Sequence, residues 1–205
     1  MDIDPILDAG DLDALNAALA ADPALANAPV AEGDHAPHPI HALCDRVFDG
    51  RLGEGAALAM VQALIKAGAD LDHVHAANGD GLVTSAISLS CPDIAGTLLD
   101  AGAPSGAPGL FAATPLHWAA IMGMPALVER LIADGGDVGL RDAEFDSTPL
   151  GWAMEGWASP PKGSRGEQIA CAALLVAAGA VVEPQWAGSE RVRADAAMAR
   201  ALGLI

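Results

Sequence analysis

Five of the six histidines in this 205-residue chain fall into two tight groups. His35, His38 and His41 form an H-x-x-H-x-x-H series, and His73 and His75 an H-x-H pair. Two to four imidazoles converging on one point hold zinc or its neighbours in the first transition row. Joined to the chain's many carboxylates, such a centre would support metal-dependent chemistry. The spacing weighs against it. Pro37 and Pro39 break any helix through the first series, so its three rings do not share a face. His73 and His75 fall on one side of an extended segment. A site combining them with His35 is the metal-binding alternative, but it lacks a carboxylate in the motif. The expectation is no metal and no cofactor.

No other catalytic pattern is present. The chain has no G-x-S-x-G, H-E-x-x-H, G-x-x-x-x-G-K-[ST] or G-x-G-x-x-G. Cys44, Cys91 and Cys171 form no C-x-x-C, and each lies in an apolar stretch. They read as reduced core thiols, not as nucleophiles or a disulfide framework. No catalytic residue is expected.

Charge narrows the partners. Asp+Glu number 27 against 10 Lys+Arg, a formal net charge of −17. A cationic face for nucleic acid or an anionic membrane is therefore not expected. The first fifty residues hold ten acidic side chains and one basic, while 151–205 hold five of each. The acidic end would steer a basic partner. The longest apolar run, 169–182, falls short of the roughly 18 residues of a spanning helix. The acidic start lacks the basic n-region of a secretory leader, so the cytoplasm is the expected location.

What would position these residues is a repeat. Thr114-Pro115-Leu116 lies 34 residues before Thr148-Pro149-Leu150, and His38-Pro39-Ile40-His41 opens the same way. Apolar helical stretches end on Gly68, Gly102, Gly135 and Gly179. Thr before Pro is a helix start: the hydroxyl caps, and Pro at the first turn loses no hydrogen bond. Glycine supplies the left-handed residue that ends a helix. Hydrophobic residues at helical spacing then predict helices over 39–48, 54–67, 82–89, 92–101, 115–122, 124–134, 149–155 and 167–178. A last helix over 189–202 would close the stack, as 2–22 would at the start.

Thr114-Pro115-Leu116-His117-Trp118-Ala119-Ala120, followed by Leu131-Ile132 and Gly135-Gly136-Asp137-Val138, resembles the ankyrin repeat. The resemblance implies an all-α solenoid of helix–turn–helix units of about 33 residues joined by β-hairpin loops. It covers nearly the whole chain as one domain. Residues 1–37 are a degenerate first unit, 38–80, 81–113, 114–147 and 148–183 are repeats, and 184–205 is a capping helix. The third unit departs from the signature, with Gly81-Leu82-Val83-Thr84 at its opening. Two units are longer than the repeat, with insertions near 46–54 and 157–168.

The family resemblance also implies a non-catalytic module that binds a protein through its concave face of hairpin tips and first helices. Carried over unit by unit, the slots before the signature are His35, Asn78, Leu110 with Phe111, and Glu144 with Phe145. Those after it are Asp45 with Arg46, Leu89, Ile121 with Met122, and Glu155. Phe111, Ile121, Met122 and Phe145 would give an apolar centre, rimmed by Asp45, Arg46, Glu144 and Glu155. The rival expectation is that the second insertion folds over them. Trp118 and Trp152, 34 residues apart, read as packing between repeats. Two other functions stay open: an acidic inhibitor or immunity-type protein occluding a basic partner, and the metal-dependent enzyme above.

Overall fold

A computed structural model describes residues 2–30 and 37–205. The chain divides into two compact halves, Met1–Pro104 and Ser105–Ile205.

The first half holds three helix pairs: α1 (Asp4–Ala9) with α2 (Leu12–Ala21), α3 (Pro39–Phe48) with α4 (Glu54–Lys66), and α5 (Leu82–Ser88) with α6 (Pro92–Asp100). Gly10, left-handed at φ 63°, ends α1. Asp11 then caps α2, accepting a hydrogen bond from Ala14 N at 2.9 Å. α3 packs on α5, while α4 lies against both α2 and α6, so first and second helices form separate rows. Leu15, Ile40, Leu43, Met60, Leu64, Ile87, Ile94 and Leu98 fill the space between them.

The second half repeats the plan. α7 (Pro115–Met122) pairs with α8 (Pro125–Ala133), and α9 (Pro149–Ala158) with α10 (Gln168–Ala177). α7 packs on α9 and α8 on α10. The Trp118 and Trp152 rings meet edge to face, their centroids 5.1 Å apart. α9 comes close to α7 at Gly156, where a Cβ would sit 2.4 Å from the carbonyl oxygen of Ile121.

Three expectations need amending. The loops expected as β-hairpins contain no strand among the described residues, only one antiparallel bridge between Val74 and Gly81. Loops this short leave too little ladder for a two-stranded ribbon, and their polar groups turn to side chains instead. The last helix is broken into α11 (Pro184–Ala187), α12 (Glu190–Ala194) and α13 (Ala196–Ala201). Asp195 makes the break between the last two: its carboxylate accepts from Ala197 N and Met198 N and restarts the helix as a cap. Finally, the 157–168 insertion first lengthens α9 to Ala158 and then folds back as a cap on α7. Arg165 N donates to the Met122 carbonyl at 2.8 Å, and Gln168 Nε2 to the Ile121 carbonyl at 2.9 Å. Gly123 fits beneath it, since a Cβ there would lie 2.7 Å from Glu167 N.

Gly156→Ala tests the close approach. The added methyl has only backbone to displace, so the second half should lose about 2 kcal/mol of stability, read as a lower midpoint in urea unfolding.

Candidate functional site

The candidate residues of the second half converge on a cleft of about 460 Å³ lined by Ile121, Phe145, Ser147, Gly151, Trp152, Glu155 and Trp186. Ile121 lies in the last turn of α7, Glu155 in the second half of α9, and Phe145 in the loop before the Thr148 signature. Phe145 is 62% exposed, a large apolar side chain held in water. Its ring stands at 69° to that of Trp152, with centroids 6.2 Å apart. On its other side Phe111 packs edge to face at 5.5 Å. Glu144 and Glu155 are exposed.

The loop that presents Phe145 is organised by one buried carboxylate. Asp142 accepts hydrogen bonds from the backbone N–H of Glu144 (2.9 Å), Phe145 (2.6 Å) and Ser147 (3.1 Å), and from Trp152 Nε1 at 2.9 Å. Burial works to raise its pKa, but these donors outweigh it and hold the carboxyl below its ordinary value. Phe111 closes the arrangement from below. Its carbonyl accepts from Ala143 N at 2.7 Å, with Phe111 itself in the left-handed region at φ 64°. A left-handed non-glycine residue costs about 1–2 kcal/mol, offset here by that bond and by the ring contact with Phe145.

His117 supports the same loop. Its Nδ1 accepts from Thr114 N at 3.2 Å, so Nε2 carries the proton and donates to the Leu140 and Ser147 carbonyls at 3.1 and 3.3 Å. Burial lowers its pKa, which keeps the ring neutral and this tautomer in place.

Two expected contact residues face inward. Met122 is 2% exposed and belongs to the core, beneath the folded-back insertion. Arg46 is 1% exposed. Its Nε donates to Asp8 at 2.7 Å, Nη1 to the Ala42 carbonyl at 2.8 Å, and Nη2 to Asp4, tying α3 to α1. Leu110 and Leu89 are half-buried, as is Asp45. Asn78 spends its amide on its own loop, donating to Asp80 at 2.8 Å. His35 lies outside the described residues. Sequence reasoning missed Asp142, Ser147 and Trp186 as parts of the site. For Asp142 a signal existed, since Asp two and three residues before exposed backbone N–H groups is a turn former.

The histidines do gather, but around His41. Ring centroids lie at 4.8 Å for His38–His73, 5.6 Å for His41–His73 and 5.2 Å for His41–His75. The nitrogens of two of them are engaged. His38 Nδ1 accepts from Ile40 N and its Nε2 bonds Asn27 Oδ1, while His75 Nδ1 accepts from Ala77 N. Each bond fixes a tautomer with the proton on Nε2, which removes that lone pair from coordination. Among the described residues, no three His, Cys, Asp or Glu side chains form a group that could hold a metal ion. His41 Nε2 is buried without a partner. Burial, then the neighbouring His75, His73 and His38, push the His41 pKa down to about 3; burial and His73 push that of His38 down to about 4.

Residues 113–143 match the family model described as Ankyrin repeat. Those residues carry an ankyrin repeat, and the helix pairs on either side of that span follow the same plan in both halves. No curated protein shows significant similarity to it.

Two outcomes test the site's electrostatics. Asp142→Ala strips a partner from four buried or half-buried donors and should cost about 3 kcal/mol, with near-UV circular dichroism of Trp152 altered. The stability that wild-type Asp142 contributes is complete above the ordinary Asp pKa and is lost as pH falls through its lower folded value. The histidines act at higher pH. Between about 6.5 and 4 the unfolded chain binds protons that native His38 and His41 refuse, so stability must decline as pH falls. His41→Gln should make that decline shallower in urea titrations run from pH 7 to pH 4.

Proposed function

We propose that the protein is a non-catalytic interaction module whose second half binds a protein partner, seating an apolar anchor against Phe145 and Ile121. The observation that carries this reading is the 62% exposure of Phe145 on a loop held rigid by Asp142. Soluble proteins bury large aromatic rings unless the surface has a use, and a pre-ordered ring loses little freedom on binding. Glu144 and Glu155 supply a charged rim around an apolar centre, the usual composition of an interface. Ankyrin repeats are in general protein–protein interaction modules, and their recognition positions include these slots.

A second reading rests on charge. The net −17, with most of it in the first fifty residues, suits an acidic inhibitor or immunity-type protein that occludes a basic partner in the cytoplasm. No helix among the described residues is long and apolar enough to cross a membrane.

Affinity capture with the full chain as bait, at low and high salt, tests both. Phe145→Ala should release the captured partner while lowering the melting temperature only slightly, because the ring is mostly solvated and gives up just its edge contacts with Phe111 and Trp152. Unchanged capture by this variant would sink the Phe145 reading. For the inhibitor reading, the association rate with the captured partner should fall steeply with ionic strength; a salt-independent rate would remove charge from the mechanism.

A further inference from the structure

The two sides of the cleft are held in opposite ways. On one side Trp152 is buried and its N–H donates to the Asp142 carboxylate at 2.9 Å, so that wall is fixed. On the other stands Trp186, a half-buried ring. Its indole N–H is turned inward, shut off from solvent and without a hydrogen-bond partner among the described residues. A tryptophan near a surface ordinarily gives its N–H to water or to an acceptor. A buried donor left unpaired costs free energy that exposure would return. The closed pose of Trp186 is therefore penalised where that of Trp152 is favoured.

Little holds Trp186 in place. It sits on α11, a single helical turn in which no residue is buried. One turn of helix is not stable by itself in water. The chain on either side is anchored. Ala180 is buried and its N–H donates to the Leu175 carbonyl at 2.9 Å, while Val192 of α12 is buried as well. Residues 181–188 thus form a strap between two fixed ends. A latch fastens it. Glu183 accepts a hydrogen bond from Arg141, and Arg141 also donates to the carbonyl of Asp146, the neighbour of Phe145 in the chain. Arg141 is exposed, so this ion pair is weak and open to screening.

We propose that the 181–188 strap is an autoinhibitory gate: Trp186 closes one side of the cleft in the free protein and swings out, breaking the Arg141–Glu183 pair, when a partner docks against Phe145 and Ile121. The inference rests on the interaction reading above and supplies its regulation. Partner and closed strap compete for the same space, so the fraction of molecules with the gate open sets the apparent affinity. Loosening the latch raises that fraction.

The test uses the full chain with 5-fluorotryptophan in place of its four tryptophans. The ¹⁹F signals are assigned by Trp118→Phe, Trp152→Phe, Trp157→Phe and Trp186→Phe. The Trp186 signal should exchange with a second state whose shift moves between H₂O and D₂O, while the Trp152 signal stays sharp. Glu183→Gln should raise the population of that state at least threefold. The Trp118 and Trp152 signals should keep their positions in this variant, which shows that the half remains folded. Amide hydrogen exchange gives an independent readout. The N–H groups of Trp186 and Gly188, bonded to the Glu183 and Pro184 carbonyls at 3.0 and 2.8 Å, should exchange at least tenfold faster than those of α10. Exchange should be faster again in Glu183→Gln. With the captured partner bound, Trp186 should occupy the second state alone. A Trp186 signal without exchange, or a population that Glu183→Gln leaves unchanged, would overturn the gate. So would a bound partner that leaves Trp186 closed. Retained capture by Phe145→Ala bears on the docking reading alone, so the two fail separately.

Discussion

The second half depends on where the Asp142 carboxylate finds its donors. A buried carboxylate is costly unless its lone pairs are satisfied. Four N–H groups do so here, three from the loop that follows and one from Trp152 on the next helix. That single group therefore does the work a β-ladder would do in a longer hairpin. It fixes the loop's curvature, delivers Phe145 to the surface and sets the plane of Trp152. His117 reinforces it from beneath through the Leu140 and Ser147 carbonyls, while its Nδ1 takes the Thr114 N–H only as long as the imidazole is neutral. The cleft is thus built from backbone geometry first, with the rings as its consequence.

Much of this architecture was legible before any coordinates. Proline starts at α3, α6, α7 and α8, glycine stops and apolar helical spacing bounded the helices from α3 to α8 to within about a residue, because helix starts and left-handed termination are local properties that a sequence states directly. Trp118 and Trp152 also met as their 34-residue spacing required. Non-local chemistry was harder to read. Arg46 sits where a recognition residue would, yet two acidic residues about forty positions upstream claim its guanidinium. The 189–202 stretch has unbroken helical periodicity, and only the preference of the Asp195 side chain for backbone N–H groups divides it. For the site, Phe145, Ile121 and Glu155 were legible from their slots, whereas Trp186 was not, since it lies outside any repeat register.

The two signature histidines show how one substitution redirects a motif. His117 follows threonine by three residues, and Thr114 presents its N–H and hydroxyl to Nδ1. In the first half the threonine position is taken by His38, which turns to Asn27 and to its own helix start. His41 is left among other imidazoles, its Nε2 buried and unpaired. The same fold position that fastens a loop in one half thus becomes, in the other, a buried imidazole whose pKa is pushed down to about 3. Histidine density alone reads as metal chemistry, but hydrogen-bonded tautomers decide whether lone pairs remain to offer.

The insertion that caps α7 changes what a repeat means in this chain. In an ideal solenoid each unit is a brick, and stability is a sum of units and their shared faces. Here the carbonyls that end one repeat's first helix are answered by residues borrowed from the following repeat. The earlier unit is not complete in itself. Lineages that shed the later repeat would find this junction closed to them, because the cut leaves α7 without the residues that answer its last carbonyls. The second half should accordingly be inherited, and swapped between chains, as one indivisible block.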